Sequence, residues 1–145
     1  MTKYFEVTLG GTYYGKKLVT SGSASPGHLM ALGTGGSIIA QCGATGCPFG
    51  MLTGSRFVYT PTSTDYADGE TAVVVTGDFY CLISSEYFST GSIPTTVNTP
   101  LYAATGGLLA TSGTNKVGQF MRSKSVELPG GSQSVAECRI NLAAA

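Results

Sequence analysis

Glycine sets the first limit on this chain. There are 21 glycines in 145 residues, and no glycine-free interval exceeds 14 residues. The intervals that begin at Ser55 and Ser92 are broken further by Pro61 and by Pro94 with Pro100. Glycine weakens a helix interior and proline breaks it, so a long helix has nowhere to form. Disorder is disfavoured as well, because 42% of the residues are hydrophobic, eight Tyr and six Phe are spread along the chain, and the formal net charge is zero. A chain of this length buries about 68–70% of the surface that it would expose unfolded. The expectation is therefore an all-β domain of strands and turns around a real core.

Charged residues make up only 11% of the chain, against about 25% in an average globular protein. The densest basic spots are Lys16 with Lys17 and Arg122 with Lys124. Neither makes the patch that phosphate neutralisation requires, so nucleic acid is not an expected partner. The opening Met1-Thr2-Lys3-Tyr4-Phe5-Glu6 lacks a signal-peptide apolar core, and runs such as Ala72-Val73-Val74-Val75 are far too short to span a membrane as a helix. The expectation is a soluble cytoplasmic product with no membrane partner, in which four cysteines read first as thiols.

Strand patterns punctuate the chain. Phe5, Val7 and Leu9 alternate with Tyr4, Glu6 and Thr8 and place three apolar residues on one face, with Gly10-Gly11 as the stop. Further strands are expected at 17–20, 28–32, 37–41, 56–60, 71–76, 79–84, 101–104, 116–121 and 134–142. Gly77-Asp78, between Ala72–Thr76 and Phe79–Ile83, has the form of a two-residue hairpin loop. Ser85-Glu86-Tyr87-Phe88 is free of breakers and allows a short helical turn. The stretch 33–54 holds seven glycines and two cysteines and reads as a loop-rich insertion. No repeat of 20–50 residues is present. The whole chain, 1–145, is expected to form one β-barrel or sandwich-like domain with that insertion.

Catalytic chemistry finds little to work with. The single histidine, His28, follows Pro26-Gly27 and opens an apolar run, the position of a structural turn residue. Gly10 and Gly15-Lys16 have phosphate-loop spacing, but Lys17 stands where Ser or Thr would ligate magnesium and no helix follows. A glycine-rich turn between strands is the simpler reading. Asp65, Asp68 and Glu70 surround Gly69 without the alternating ligand ladder of a calcium loop, which suits a solvated acidic turn. Cys42 and Cys47 are close enough to remain thiols, to pair, or to share a metal, whereas structural zinc needs four ligands. Cys81 and Cys138 each fall inside a strand pattern and read as core residues. No enzyme activity, metal or cofactor is expected. Aromatics come in adjacent pairs, Tyr4-Phe5, Tyr13-Tyr14, Phe79-Tyr80 and Tyr87-Phe88. On a strand, one ring of each pair faces away from the core, where it either caps a barrel end or serves as a contact anchor, Tyr being favoured at interfaces.

The order Asp68-Gly69-Glu70 with the apolar strand to Tyr80, Thr99-Pro100-Leu101-Tyr102 with Gly106-Gly107-Leu108, Val117-Gly118-Gln119-Phe120 and a closing strand to Leu142 resembles the small β proteins that decorate or cement tailed-phage capsids. Pro26-Gly27-His28-Leu29 is similar to an early turn of that family. The resemblance spans roughly Pro26 to Leu142. It implies a structural virion protein, made in the host cytoplasm, that binds the major capsid protein from outside as a homo-oligomer, often a trimer, without enzyme activity or cofactor. The segment 1–25, with Tyr4, Phe5, Tyr13 and Tyr14, is the expected capsid or subunit contact. The alternative is a β-rich module that binds a receptor or carbohydrate, such as a fibre tip, although the chain has no Trp.

Overall fold

A computed structural model of the chain describes residues 4–19, 23–24, 26–32, 38–39, 48–53, 66–67, 69–128 and 130–142. Among these residues eleven strands run in chain order: β1 Phe5–Val19, β2 Ser23–Ala24, β3 Leu29–Leu32, β4 Ile38–Ile39, β5 Pro48–Thr53, β6 Tyr66–Ala67, β7 Thr71–Ile83, β8 Pro100–Ala104, β9 Leu108–Ala110, β10 Lys116–Leu128 and β11 Gly131–Leu142. Among the described residues the only helical element is a 3-10 turn at Ser85–Tyr87. The expected strand at 56–60 and the residues Cys42, Cys47, Asp65 and Asp68 lie outside the described residues. Within the loop-rich stretch 33–54, Pro48–Thr53 supplies β5, a strand paired on both edges.

Nine strands form one sheet in the order β1-β4-β3-β5-β7-β11-β10-β8-β9, and β1 also pairs with β7. That second pairing closes β1, β4, β3, β5 and β7 into a ring, so the protein is an all-β domain with a nearly closed, barrel-like sheet. Antiparallel ladders dominate, and β1 with β4 is a parallel exception. β7 is the shared strand. One of its edges pairs with β1 throughout; the other pairs with β5 over Val73–Val75 and then with β11 over Gly77–Ile83. The change of partner is where the sheet turns from the ring into the β7-β11-β10-β8-β9 extension.

This arrangement corrects two expectations. Gly77-Asp78 is no hairpin loop, because β7 runs unbroken through it, and Gly10-Gly11 does not stop β1. The Gly77-Asp78 step is a bulge of β7 opposite Gly10-Gly11, and β1 carries a bulge of its own just before it. From Gly10↔Phe79 to Thr12↔Thr76, β7 carries one residue more than β1, and from Val7↔Cys81 to Leu9↔Tyr80, β1 carries one residue more than β7. Gly77 adopts φ +86°, which glycine reaches without a Cβ clash. Gly10, at φ +80°, would bring a Cβ within 2.7 Å of the Asp78 carbonyl oxygen. Only glycine lets the two bulged strands approach this closely.

The main core gathers Phe5, Met51, Val75, Phe79, Ile83, Leu101, Phe120 and Ile140 with others from nearly every strand. A second cluster, Leu18, Met30, Leu52, Ala72 and Val74, occupies the opposite face of the ring strands. Both faces there are buried, and this is why Val73-Val74-Val75 reads as a continuous apolar run instead of alternating.

Candidate contact surface

The first aromatic pair departs from the expected pattern. Tyr4 and Phe5 are both buried, at 5% and 3% exposure. Phe5 faces the main core opposite Ile83. Tyr4 turns to the other face, yet joins Leu82 and Val135 in a third cluster flanked by Val126 and Leu128. Its backbone N–H donates to Ser84 Oγ at 2.9 Å, its phenol donates to Glu6 Oε1 at 2.7 Å, and Ser84 Oγ donates to Glu86 Oε1 at 2.9 Å. The start of β1 is thereby fixed to the 3-10 turn, and neither ring is exposed on the surface. Tyr87 and Phe88 are likewise both buried.

Tyr13 and Tyr14 do divide between faces. Tyr13 stands opposite Val75 and packs half-buried against the main core, and burial pushes its phenol pKa up. Tyr14 stands opposite Val74 and is 44% exposed. Its ring lies 6.0 Å from that of Phe49 at an angle of 46°, and the Lys16 ammonium is 5.8 Å from both ring centres. A cation over two rings adds about 0.5–1 kcal/mol at an exposed site. The phosphate-loop-like residues Gly10 to Lys16 are thus part of an extended strand laddered to β7, not a turn.

The alternation expected for β1 also breaks. Phe5 and Val7 pack against the core, but the extra residue near Thr8 shifts the phase, and Leu9 emerges on the opposite face at 66% exposure. A one-residue slip moves every following side chain to the other face of a sheet. Leu9 then begins a row across five strands: Leu9 opposite Tyr80, Tyr80 opposite Arg139, Arg139 opposite Gln119, Gln119 opposite Pro100. The neighbours Phe79 and Ile140 point into the core, so this row points outward.

Ion pairs lace the outward face. Arg139 binds Asp78 twice, Nε to Oδ1 at 3.1 Å and Nη2 to Oδ2 at 2.7 Å, and this hydrogen-bonded guanidinium holds the Asp78 carboxyl below its ordinary range. Glu137 accepts from Arg122 at 2.8 Å and lies 3.2 Å from the Lys124 ammonium. Partial burial alone pushes the Glu137 carboxyl up, but the hydrogen bonds and charges of Lys124 and Arg122 outweigh it and bring it below the usual value. Two shallow grooves border Arg139. One, of about 360 Å³, is lined by Lys116, Val117, Gly118, Gln119, Arg139 and Asn141; the other, of about 310 Å³, by Leu9, Gly10, Asp78, Tyr80 and Arg139.

His28 is buried, its ring edge-on to Tyr87 with centroids 5.2 Å apart, and its carbonyl accepts from the Leu52 N–H at 2.9 Å. It holds the Pro26-Gly27 turn against the 3-10 turn. Among the described residues, no three His, Cys, Asp or Glu side chains gather where they could hold a metal ion. In comparisons with known proteins, no family model matches the sequence and no curated protein matches it.

Proposed function

We propose that this chain is a structural virion protein that binds the outside of an assembled capsid and stabilises the shell, acting as a homo-oligomer, a trimer at a local symmetry axis. The observation that carries this reading is the outward face of the sheet. Its carboxylates Asp78 and Glu137 are already held by Arg139, Arg122 and Lys124 of the same face, which leaves exposed Leu9 and half-exposed Tyr80 to gain most from contact. Such a face suits broad, dry association more than capture of a charged small molecule. The resemblance to capsid decoration proteins points the same way. Zero net charge removes steering as the main source of affinity, so binding is only weakly salt-dependent. Several copies on symmetry-related shell sites then multiply a modest single contact through effective concentration.

Of the four expected contact residues this reading keeps the exposed aromatic Tyr14, beside Lys16 and Phe49, and it adds Leu9 beside Tyr80. The test is co-sedimentation of the purified protein with capsids that lack it. Wild type is expected to pellet with the shell, and Tyr14→Ala with Leu9→Ser to pellet less. Failure of wild type to bind any stage of the cognate shell overturns the function, whereas undiminished binding by the variant overturns only the surface. A carbohydrate-binding role is the second reading, favoured by the groove that Tyr80 shares with Asp78 and Arg139. Saturable binding on a glycan array, without shell binding, would select it.

A further inference from the structure

Cys81 of β7 and Cys138 of β11 are far apart in the sequence but directly opposite one another in the antiparallel ladder. Both carry free thiols, both have no measurable exposure, and both point into the main core. Val7 stands beyond Cys81 and Phe120 beyond Cys138 in the same inward row, so the two sulfurs occupy its middle with apolar side chains on either flank. Opposed residues in antiparallel strands have Cα atoms about 4.5 or 5.5 Å apart, depending on the type of pair. Disulfides bridge Cα separations of about 4.4–6.8 Å. Either type of pair falls inside that window.

We propose that Cys81 and Cys138 form a redox modification site, a dithiol that closes to a cross-strand disulfide when a small-molecule disulfide such as oxidised glutathione reaches it. One cysteine thiolate attacks the oxidant, breaking its S–S bond and releasing one glutathione thiolate. The second cysteine thiolate then attacks the protein-bound mixed disulfide and expels the other glutathione. In balance, two cysteine thiols lose two protons and two electrons, one S–S bond forms in the protein, and the oxidant is reduced to two thiols.

The surroundings set when this happens. Desolvation, with the nearby Glu137 carboxylate, pushes the Cys138 thiol up to about 12, and desolvation, Cys138 and Glu137 push Cys81 well above its ordinary value. At neutral pH both stay protonated and shielded, so the folded protein resists oxidation. The bond closes during folding or when β7 and β11 part locally. Once formed, it ties the strand shared with the ring to the first strand of the extension. This inference is independent of the capsid reading.

The experiment uses Cys42→Ser with Cys47→Ser, which leaves only these two thiols. The protein is refolded from urea with oxidised glutathione and analysed without reductant. The expected product has no reactive thiol after denaturation and a mass lower by two hydrogen atoms. Its Cys81 and Cys138 peptides are linked, and its unfolding midpoint is higher, returning to the reduced value with dithiothreitol. Two free thiols after the treatment, or a glutathione adduct that persists on either cysteine, would overturn the proposal. If the double variant folds poorly, peptide mapping of wild type treated in the same way replaces it: a Cys81–Cys138 link supports the site, and its absence overturns it.

Discussion

At the scale of single residues, Glu137 shows how the outward face couples to pH. Its carboxyl is held below the ordinary range because the bonds to Lys124 and Arg122 more than cancel the effect of partial burial. A group whose pKa is lower folded than unfolded adds stability that is complete above the unfolded value and is lost as pH falls through the folded one. The window therefore opens at the ordinary glutamate value, about 4.3, and extends below it. Asp78, held down by Arg139, acts in the same direction, although its exposure to solvent screens the effect. Urea unfolding at about pH 7 and about pH 3 is the check. Glu137→Gln is expected to lower stability at the higher pH and to make little difference at the lower, giving a flatter acid limb. An equal loss at both values would show that packing, not charge, is what the substitution removes.

Among the elements, β7 carries the main lesson about reading this sequence. Its β character and the short helical turn after Ser84 are legible because each depends on neighbouring residues: β-branched runs and an interval without breakers, whereas β9, the second strand of the β8–β9 hairpin, lies outside the expected strands. The fate of Gly77-Asp78 is not local. The same dipeptide serves as a hairpin loop or as a bulge, and what decides is Gly10-Gly11 of β1, which lies alongside and admits the close approach. The exposure of Leu9 is hidden for the same reason, since the bulge near Thr8 shows only once the partner strand is in place. The two cysteines are legible as core residues, but their pairing belongs to the β7–β11 register. Glycine substitutions separate the two demands made on these strands. A Cβ at Gly77 meets nothing within 4 Å, so Gly77→Ala bears only the left-handed backbone penalty, about 1–2 kcal/mol. A Cβ at Gly118 would lie 2.1 Å from the Arg139 carbonyl oxygen. Backbone cannot swing aside as a side chain does, so Gly118→Ala is expected to reach or exceed the roughly 3 kcal/mol upper end of ordinary overpacking. Chemical denaturation of the two variants checks the order, and a milder Gly118→Ala would mean that β10 and β11 separate more easily than their ladder implies.

For the molecule as a whole, the question is whether the ring and the extension are two folding units or one. They share β7, but a shared strand alone could hold two cores that melt separately. The core composition decides otherwise. Leu29 and Met51 from the ring strands lie in the same cluster as Leu101, Leu109, Phe120 and Ile140 from the extension, with Phe79 of β7 among them. The Leu29 N–H donates to the Gly107 carbonyl at 2.9 Å, which ties β3 to the β8–β9 turn. Removing either half would expose apolar surface on the other, so neither has a favourable partly folded state. Heat or urea is therefore expected to give one cooperative transition, with strand content followed by far-UV circular dichroism and tyrosine environment followed by near-UV signals superimposing. Phe79→Ala tests the same point more sharply. Phe79 is 1% exposed and stands opposite Ile140 of the extension and Gly10 of the ring strand β1. Its truncation is expected to cost about 3–5 kcal/mol and to move both probes to the same lower midpoint. If the near-UV signal were lost first while most strand content persisted, the ring and the extension would be separate units, and the single core inferred from their shared cluster would be wrong.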